Sequence, residues 1–248
     1  MPTMYVFDVD GTLTPSRQKM DAKFQEFFLA FAECNSTALV TGSDYHKTVE
    51  QVGEEICHTV GRVFNCLGND IWYHGNNLYT NPWTLPDDLH FFLLEKLFES
   101  KYKVRTGNHI EQRPGLVNFS VVGRNANLEQ RKDYYHFDQE SKEREQVAMQ
   151  INVLFPDLEA SVGGETGIDI HPKGLDKRQA LKYINQNWRV CYFGDRTDPG
   201  GNDYTIARAI REKGESYGEV YTVTDWRHTF ALLRDIVEFQ GDSDDWYK

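Results

Sequence analysis

Two carboxylates one residue apart, Asp8 and Asp10, stand in the string Phe7-Asp8-Val9-Asp10-Gly11-Thr12-Leu13-Thr14, at the end of the apolar run Met4 to Asp8. In a parallel sheet, ligands bind beyond the carboxyl ends of the strands. One of the two carboxylates can attack phosphorus there while the other handles a proton. Gly11 lets the backbone approach a phosphate, and nearby N–H groups can cradle its oxygens. A second acidic block, Gly194-Asp195-Arg196-Thr197-Asp198-Pro199-Gly200-Gly201-Asn202-Asp203, follows another apolar run, Arg189 to Phe193. Carboxylates with backbone oxygens suit a hard divalent cation, and magnesium is the usual partner of phosphate.

Two further blocks add polar groups for a phosphoryl moiety. Thr41-Gly42-Ser43 offers a hydroxyl and free backbone amides. Lys177, after Gly174-Leu175-Asp176, can neutralise phosphoryl charge. Taken singly, these are turns or helix caps, with Ser43 or Asp44 and Asp176 as N-cap residues. Taken together at strand ends, they describe phosphoryl transfer. Arg113, Arg124 and Arg131 fall within nineteen positions of one another. Arginine presents a planar fork to phosphate oxygens, so the three form a candidate anion site. The plain alternative is a solvated surface.

The elements that must position these groups follow from spacing. Strands are predicted at Met4–Asp8 and Thr37–Val40, and helices at Asp21–Cys34 and Tyr45–Ile56. Phe24, Phe27, Phe28 and Phe31 recur at helical spacing and should face the core. Strand, helix, strand, helix favours a parallel sheet with helices packed on it. The middle reads as an α+β segment, with helices near Asp87–Glu99 and Ser141–Asn152. Val117–Val121 alternates like a strand with one exposed face, and Gly163–Gly167 marks a tight connection. The first pattern then returns with a helix at Lys177–Asn187, strands at Arg189–Phe193 and Val220–Val223, and a helix at Trp226–Phe239. The expectation is a core domain of residues 1–81 and 173–248 and an inserted cap of residues 82–172. Its hinges lie near Asn81–Pro82 and His171–Pro172. Asp242–Asp245 should be a frayed end.

With 248 residues, 40% hydrophobic and 26% charged, the chain has room for a large core and is neither disordered nor fibrous. No run approaches the length of a membrane span, and the first residues carry no targeting pattern. A net charge of −11 disfavours nucleic acid and anionic lipid but not a small phosphorylated substrate in a local basic pocket. Cys34, Cys57, Cys66 and Cys191 form no zinc or redox pair and should sit reduced in the core of a cytoplasmic protein.

The four blocks, in this order, resemble the haloacid dehalogenase (HAD)-like phosphotransferase superfamily. The stretch Asp8 through Lys19 resembles the start of eukaryotic-type α-phosphomannomutases. So do Gly42-Ser43-Asp44, Arg113 through Arg124 with Glu129-Gln130-Arg131, Gly174-Leu175-Asp176-Lys177-Arg178, and Gly194 through Asp203. The likeness covers essentially the whole chain. It implies an α/β fold, a Rossmann-like parallel-sheet HAD core with an inserted α+β cap, and a magnesium-dependent phosphohexomutase. That enzyme would interconvert mannose 1-phosphate and mannose 6-phosphate, primed by a hexose 1,6-bisphosphate.

By position, Asp8 resembles the aspartyl nucleophile and Asp10 the general acid/base. Asp8, Asp10 through its backbone carbonyl, and Asp195 resemble the magnesium ligands, with Asp203 supporting the same metal site from its loop. Ser43 and Lys177 resemble the phosphoryl-binding pair. Arg113, Arg124 and Arg131, with Arg17 from the core, resemble the residues that hold the distal phosphate, and Asn118 and Asp169 those that contact the sugar. The resemblance also implies a cap that closes and a homodimer formed through it.

Some positions depart from that pattern. Gly167 stands where the family has a serine that helps hold the distal phosphate, a bond worth ~1.5–3 kcal/mol. Leu67-Gly68-Asn69-Asp70 replaces the family's Glu-Asn-Gly near the crossing, and Arg196 replaces a lysine. Gly115-Leu116-Val117-Asn118 carries only an apolar exchange. These changes leave two alternatives. One is a sugar-phosphate phosphatase on the same scaffold. The other is a binding protein that keeps the fold without activity, which would need Asp8, Asp10, Lys177 or Asp195 to be lost, and none is.

Overall fold

A computed structural model describes residues 1–241, so the expected frayed end at Asp242–Asp245 lies outside the described residues. The chain opens with β1 (Thr3–Phe7), α1 (Ala22–Cys34) and β2 (Ser36–Val40). Asp21 starts α1 by accepting from the Lys23 and Phe24 amides. Phe24, Phe28 and Phe31 of α1 are buried, and Phe27 packs at their edge. Next come α2 (Tyr45–Val52) and α3 (Glu54–Thr59), where a single helix was expected. Gly53 separates them at φ 93°, and Gln25 donates to the Val52 carbonyl at 2.8 Å, ending α2 there.

Three strands follow that periodicity does not reveal: β3 (Arg62–Asn65), β4 (Asp70–Tyr73) and β5 (Asn76–Thr80). β4 and β5 form a hairpin through His74 and Gly75, both at positive φ, as a two-residue primed turn requires. The chain then runs α4 (Asp87–Glu99), β6 (Ile110–Arg113), β7 (Leu116–Phe119), α5 (Leu128–Ser141), α6 (Glu143–Leu154), β8 (Leu158–Gly163) and β9 (Gly167–Pro172). α5 was not anticipated, and the helix expected from Ser141 begins at Glu143, after Lys142 turns at φ 57°.

The chain returns through a 3-10 segment, Lys177–Tyr183, shorter and tighter than the expected helix. It ends with β10 (Arg189–Gly194), α7 (Tyr204–Lys213), β11 (Gly218–Thr222) and α8 (Trp226–Gly241). Among the described residues no helix is long and apolar enough to cross a membrane.

Two sheets result. One has the order β11-β10-β1-β2-β3-β4-β5, parallel from β11 to β3, with the β4–β5 hairpin added antiparallel at one edge. The other is antiparallel, in the order β6-β7-β9-β8. Side chains of the large sheet alternate between two cores. Tyr5, Phe7, Leu39, Cys191 and Phe193 meet α1, α3 and α8, whereas Val6, Val40, Val190 and Tyr192 meet Ala180, Ile206 and Ile210. Phe7, Phe193 and Tyr221 stack in series across β1, β10 and β11, at 4.8 and 4.5 Å between centroids.

β7 departs from the expected half-exposed strand, because all its residues are buried. Val117 and Phe119 pack with residues of α4, α5 and α6, while Leu116 packs on Cys66 and Leu67 beside the large sheet. The face expected to be wet therefore lies against the large sheet's domain. Of the four cysteines, Cys57, Cys66 and Cys191 are buried as expected, but Cys34 at the end of α1 is exposed. All four are free thiols.

Candidate active site

The strand order reverses at β1, since β2 lies on one side and β10 on the other. That is the switch point where a crevice opens beyond the strand ends. Phe7 pairs with Phe193, so Asp8 and Gly194 leave the sheet side by side, and the Asp8 amide donates to Phe193 O at 2.9 Å. Thr41 leaves the neighbouring β2. The first, second and third sequence blocks therefore reach one crevice because their strands are adjacent.

Lys177 is fully buried beneath it. Its Nζ donates to Asp8 Oδ1 at 2.5 Å and to Asp203 Oδ1 at 2.6 Å. Asp176 caps the 3-10 segment through the Arg178 amide, which sets Lys177 at its first position. Asp8, Asp195 and Asp203 each offer a carboxylate oxygen within 4.8 Å of the others. Close approach needs two glycines. A Cβ on Gly11 (φ 84°) would lie 2.4 Å from Asp195 Oδ2, and one on Gly194 would lie 2.8 Å from Asp203 Oδ2.

Three carboxylates around one ammonium leave surplus negative charge. Burial pushes the Asp8 carboxyl well above its usual range, and Asp203 and Asp195 add to the rise while Lys177 opposes it. Asp195 is pushed up to about 6, by burial first and then by Asp203. Burial also works against Asp203 ionising, but Lys177 and the hydrogen bonds from Lys177, Tyr192 and the Arg196 amide outweigh it and hold Asp203 low. Lys177 is raised, since Asp203 and Asp8 outweigh its burial. Asp195 Oδ1 is buried without a hydrogen-bond partner. A surplus of hard oxygen donors with one left unpaired fits a divalent cation.

Asp10 and Asp203 stand apart from the other two residues of the expected metal set. The Asp10 carboxylate is not part of the cluster. Its Oδ1 accepts from the Arg17 amide at 2.6 Å and from Gln51 Nε2 at 2.9 Å. Asp203 is within the cluster but already engaged. Oδ1 takes Lys177 and the Tyr192 hydroxyl, each at 2.6 Å, and Oδ2 takes the Arg196 amide at 3.1 Å.

Ser43 lies opposite, on the loop after β2, with its amide donating to Thr41 Oγ1 at 3.1 Å. Behind it are Cys66 and Leu67, both at positive φ. Their amides donate to Ser43 O and Thr41 O at 2.9 and 2.8 Å, so the altered crossing loop buttresses the Ser43 loop.

The cleft continues to the four-stranded sheet and encloses about 600 Å³. Its lining includes Asp8, Asp10, Ser43, Arg17, Arg113, Arg124, Asn118 and Asp169. Arg113 spans the two sheets, donating through Nη1 to Gly42 O at 3.1 Å and through Nη2 to Glu111 at 2.5 Å. Arg124 shares Glu111 at 2.8 Å. Arg131 rises from α5, behind the lining, and reaches Glu165 at 3.1 Å and Thr166 at 3.3 Å. Arg17 sits among them, and its guanidinium is lowered to about 10 by burial, then by Arg124, Arg131 and Arg113, with Asp10 opposing. An arriving anion would relieve this crowding of like charge.

Asn118 and Asp169 are cross-strand neighbours, with Nδ2 2.6 Å from Oδ1. A Cβ on Gly167 would lie 2.6 Å from Asn118 Nδ2, so Asn118 fills the room that a side chain there would need. Sequence reading missed Lys47, Gln51, Glu111 and Glu165. No local motif marks them: Gln51 and Glu165 contact the distant Asp10 and Arg131, Glu111 pairs with Arg113 and Arg124, and Lys47 lines the cleft.

A family model described as eukaryotic phosphomannomutase matches residues 24–237. Phosphomannomutase 1 of Homo sapiens is 34% identical over 223 residues, covering 85% of each chain. Phosphomannomutase of Drosophila melanogaster is 32% identical over 249 residues, covering 95% of each. Among solved structures, a trehalose-6-phosphate phosphatase related protein has a TM-score of 0.62 at 17% identity, covering 97% of this chain and all of its own. A haloacid dehalogenase-like hydrolase from Bacteroides thetaiotaomicron has a TM-score of 0.60 at 14% identity, covering 95% of this chain and 100% of its own. The fold is thus HAD-like, and the chain belongs to the eukaryotic phosphomannomutase family.

Proposed function

We propose that this chain interconverts mannose 1-phosphate and mannose 6-phosphate through an aspartyl phosphate and a hexose 1,6-bisphosphate. The observation that supports this reading is two unlike groups on one cleft, Asp8 beside buried Lys177 and the arginines Arg17, Arg113 and Arg124. A substrate phosphorylated at both ends in turn needs both.

Starting from phosphorylated Asp8, a sugar hydroxyl gives its proton to Asp10 and attacks the phosphoryl group, which frees the Asp8 carboxylate and forms the bisphosphate. After the bisphosphate turns around, Asp8 attacks its other phosphate. Asp10 then returns the proton to the departing sugar oxygen. Ser43 and Lys177 hold phosphoryl oxygens throughout, and Arg17, Arg113, Arg124 and Arg131 hold the distal phosphate, with Asn118 and Asp169 at the sugar. Asp8 and Asp195 would hold magnesium, with the Asp10 carbonyl, while Asp203 serves by fixing Lys177. The ion would supply charge neutralisation between the nucleophile and the phosphoryl oxygens.

Residues 82–172 would act as a cap hinged near Asn81–Pro82 and His171–Pro172, closing to exclude water. Scattering profiles with and without a bisphosphate analogue test this, and an unchanged profile at saturation would argue against closure. The protein would act in the cytoplasm, as a homodimer through the cap.

The deciding assay supplies magnesium and mannose 1-phosphate, with and without glucose 1,6-bisphosphate, and records mannose 6-phosphate and free phosphate. Mannose 6-phosphate that depends on the bisphosphate is the expected result. Free phosphate alone would replace this reading with a sugar-phosphate phosphatase.

A further inference from the structure

Arg131 is more enclosed than Arg113 or Arg124, with its side chain 6% exposed. The two outer nitrogens that would grip a phosphate in a fork are both occupied. Nη2 donates to Glu165 Oε2 at 3.1 Å, and Nη1 donates to Thr166 Oγ1 at 3.3 Å. Glu165 stands in the turn between β8 and β9, lines the cleft, and is 55% exposed. Beside it Gly164 adopts φ 53° with nothing within 4 Å of a Cβ placed there, so that side of the turn is open.

Glu111 differs from Glu165 although it also neutralises arginines in this site. It lies on strand β6, paired in the sheet, and joins Arg113 and Arg124 at once. It fixes two guanidiniums from within the sheet, taking Nη2 of Arg113 and Nε of Arg124, while Arg113 Nη1 donates to Gly42 O. Glu165 makes one ion pair from a turn, using an edge of Arg131 that a phosphate would need. A buried arginine cannot follow a ligand, but a half-exposed carboxylate can swing into water at small cost.

We infer that Glu165 is an internal competitor for the distal phosphate, a specificity-determining residue that occupies Arg131 in the empty protein and yields it to substrate. This rests on the proposed role of the arginines as the distal phosphate site. The competition weakens the hold on a dianion without changing the chemistry at Asp8. It also suits an intermediate that must let go of both ends to turn around, since a site that gripped too hard would trap it.

The test measures the dissociation constant for glucose 1,6-bisphosphate calorimetrically, with magnesium, on an Asp8→Asn background that prevents turnover. Glu165→Gln removes the competing charge and is expected to bind about two- to five-fold more tightly, the range set by a partly exposed ion pair. The gain should shrink as salt screens the pair. Glu165→Asp keeps the charge and should stay near the parent, and all three proteins should melt alike. In the otherwise wild-type enzyme, Glu165→Gln should lower KM for mannose 1-phosphate without raising kcat. Arg131→Gln separates the two readings. If it weakens binding while Glu165→Gln changes nothing or also weakens it, the competitor role is wrong and the phosphate site stands. If Arg131→Gln leaves binding unchanged, the distal role of Arg131 fails and the competitor role falls with it.

Discussion

Gln51 donates from Nε2 to Asp10 Oδ1 at 2.9 Å and to Thr14 Oγ1 at 3.1 Å, linking α2 to the loop after β1. It is nearly buried, and its backbone carbonyl also accepts from the Met20 amide. If Asp10 moves the sugar proton, Gln51 sets where that carboxylate waits. Gln51→Leu keeps the bulk and removes the bond. A misplaced proton carrier of this kind costs roughly 10- to 100-fold in rate. We expect that loss in kcat with KM little changed, read from steady-state kinetics, and a normal rate of phosphate binding. An unchanged kcat would mean that the Arg17 amide alone positions Asp10.

The strand-end chemistry could be read from sequence because it is local. Asp8, Thr41 and Asp195 each follow an apolar run by one or two residues, and adjacent parallel strands bring such positions together. Residues such as Gln51 and Glu165 carry no such mark, since their partners lie 41 and 34 positions away. Helix α5 shows why the cap was harder. Its buried residues are Arg131, Tyr134 and Asp138, which give no apolar stripe. Only its Asn127–Gln130 capping box announces it. The helix split at Gly53 was hidden for the opposite reason, because the apolar periodicity continues from Val52 to Ile56 across the break.

Lys177 holds two buried carboxylates, so its removal should cost both activity and stability. Lys177→Met leaves Asp8 and Asp203 without their cation. Breaking a buried pair in this way costs about 3–5 kcal/mol. Urea unfolding should show a loss of that size, with turnover abolished. Asp8→Asn should also abolish turnover while keeping the fold, because an amide oxygen can still accept from Lys177. A Lys177→Met protein as stable as the parent would show that the carboxylates had shed their charge instead. An active Asp8→Asn protein would sink the covalent mechanism.

The thiols give a pH-dependent test. Burial raises Cys57 to about 12, with Glu54 adding to it, and raises Cys191 to about 11, from an ordinary 9.0. Cys66 is also raised, again by burial first. A raised thiol keeps its proton when folded and loses it sooner when unfolded. Its stabilising contribution is therefore whole below pH 9 and is lost as pH rises toward the folded value. Between pH 9 and 10.5, unfolding free energy should fall with a slope that Cys57→Ala plus Cys191→Ala makes shallower by up to about two protons. At pH 8 one thiol, Cys34, should react promptly with a disulfide reagent, and the other three only on unfolding. Prompt reaction of more than one thiol in the folded protein would contradict the burial.

Asn69 ties the two crossings together. Its Nδ2 donates to Cys66 O at 2.9 Å and to Leu175 O at 3.1 Å, and its Oδ1 accepts from Asn81 Nδ2 at 2.9 Å. Asn81 lies where the chain enters the four-stranded sheet's region, and Leu175 lies just past its exit. Replacing Asn69 with Ala removes the side-chain partners of the part-buried Leu175 carbonyl and of Asn81 Nδ2, while Cys66 O keeps the backbone amide of residue 69, and a group left unpaired in this way costs about 1–3 kcal/mol at most. The loosened crossings should let the cap stand open more of the time, and an open cap admits water to phosphorylated Asp8. The expected signature of Asn69→Ala is a lower melting temperature together with more free phosphate per mannose 6-phosphate formed. A variant that melts lower yet keeps the parent's product ratio would separate the two effects, leaving Asn69 a structural tie with no part in guarding the aspartyl phosphate from water.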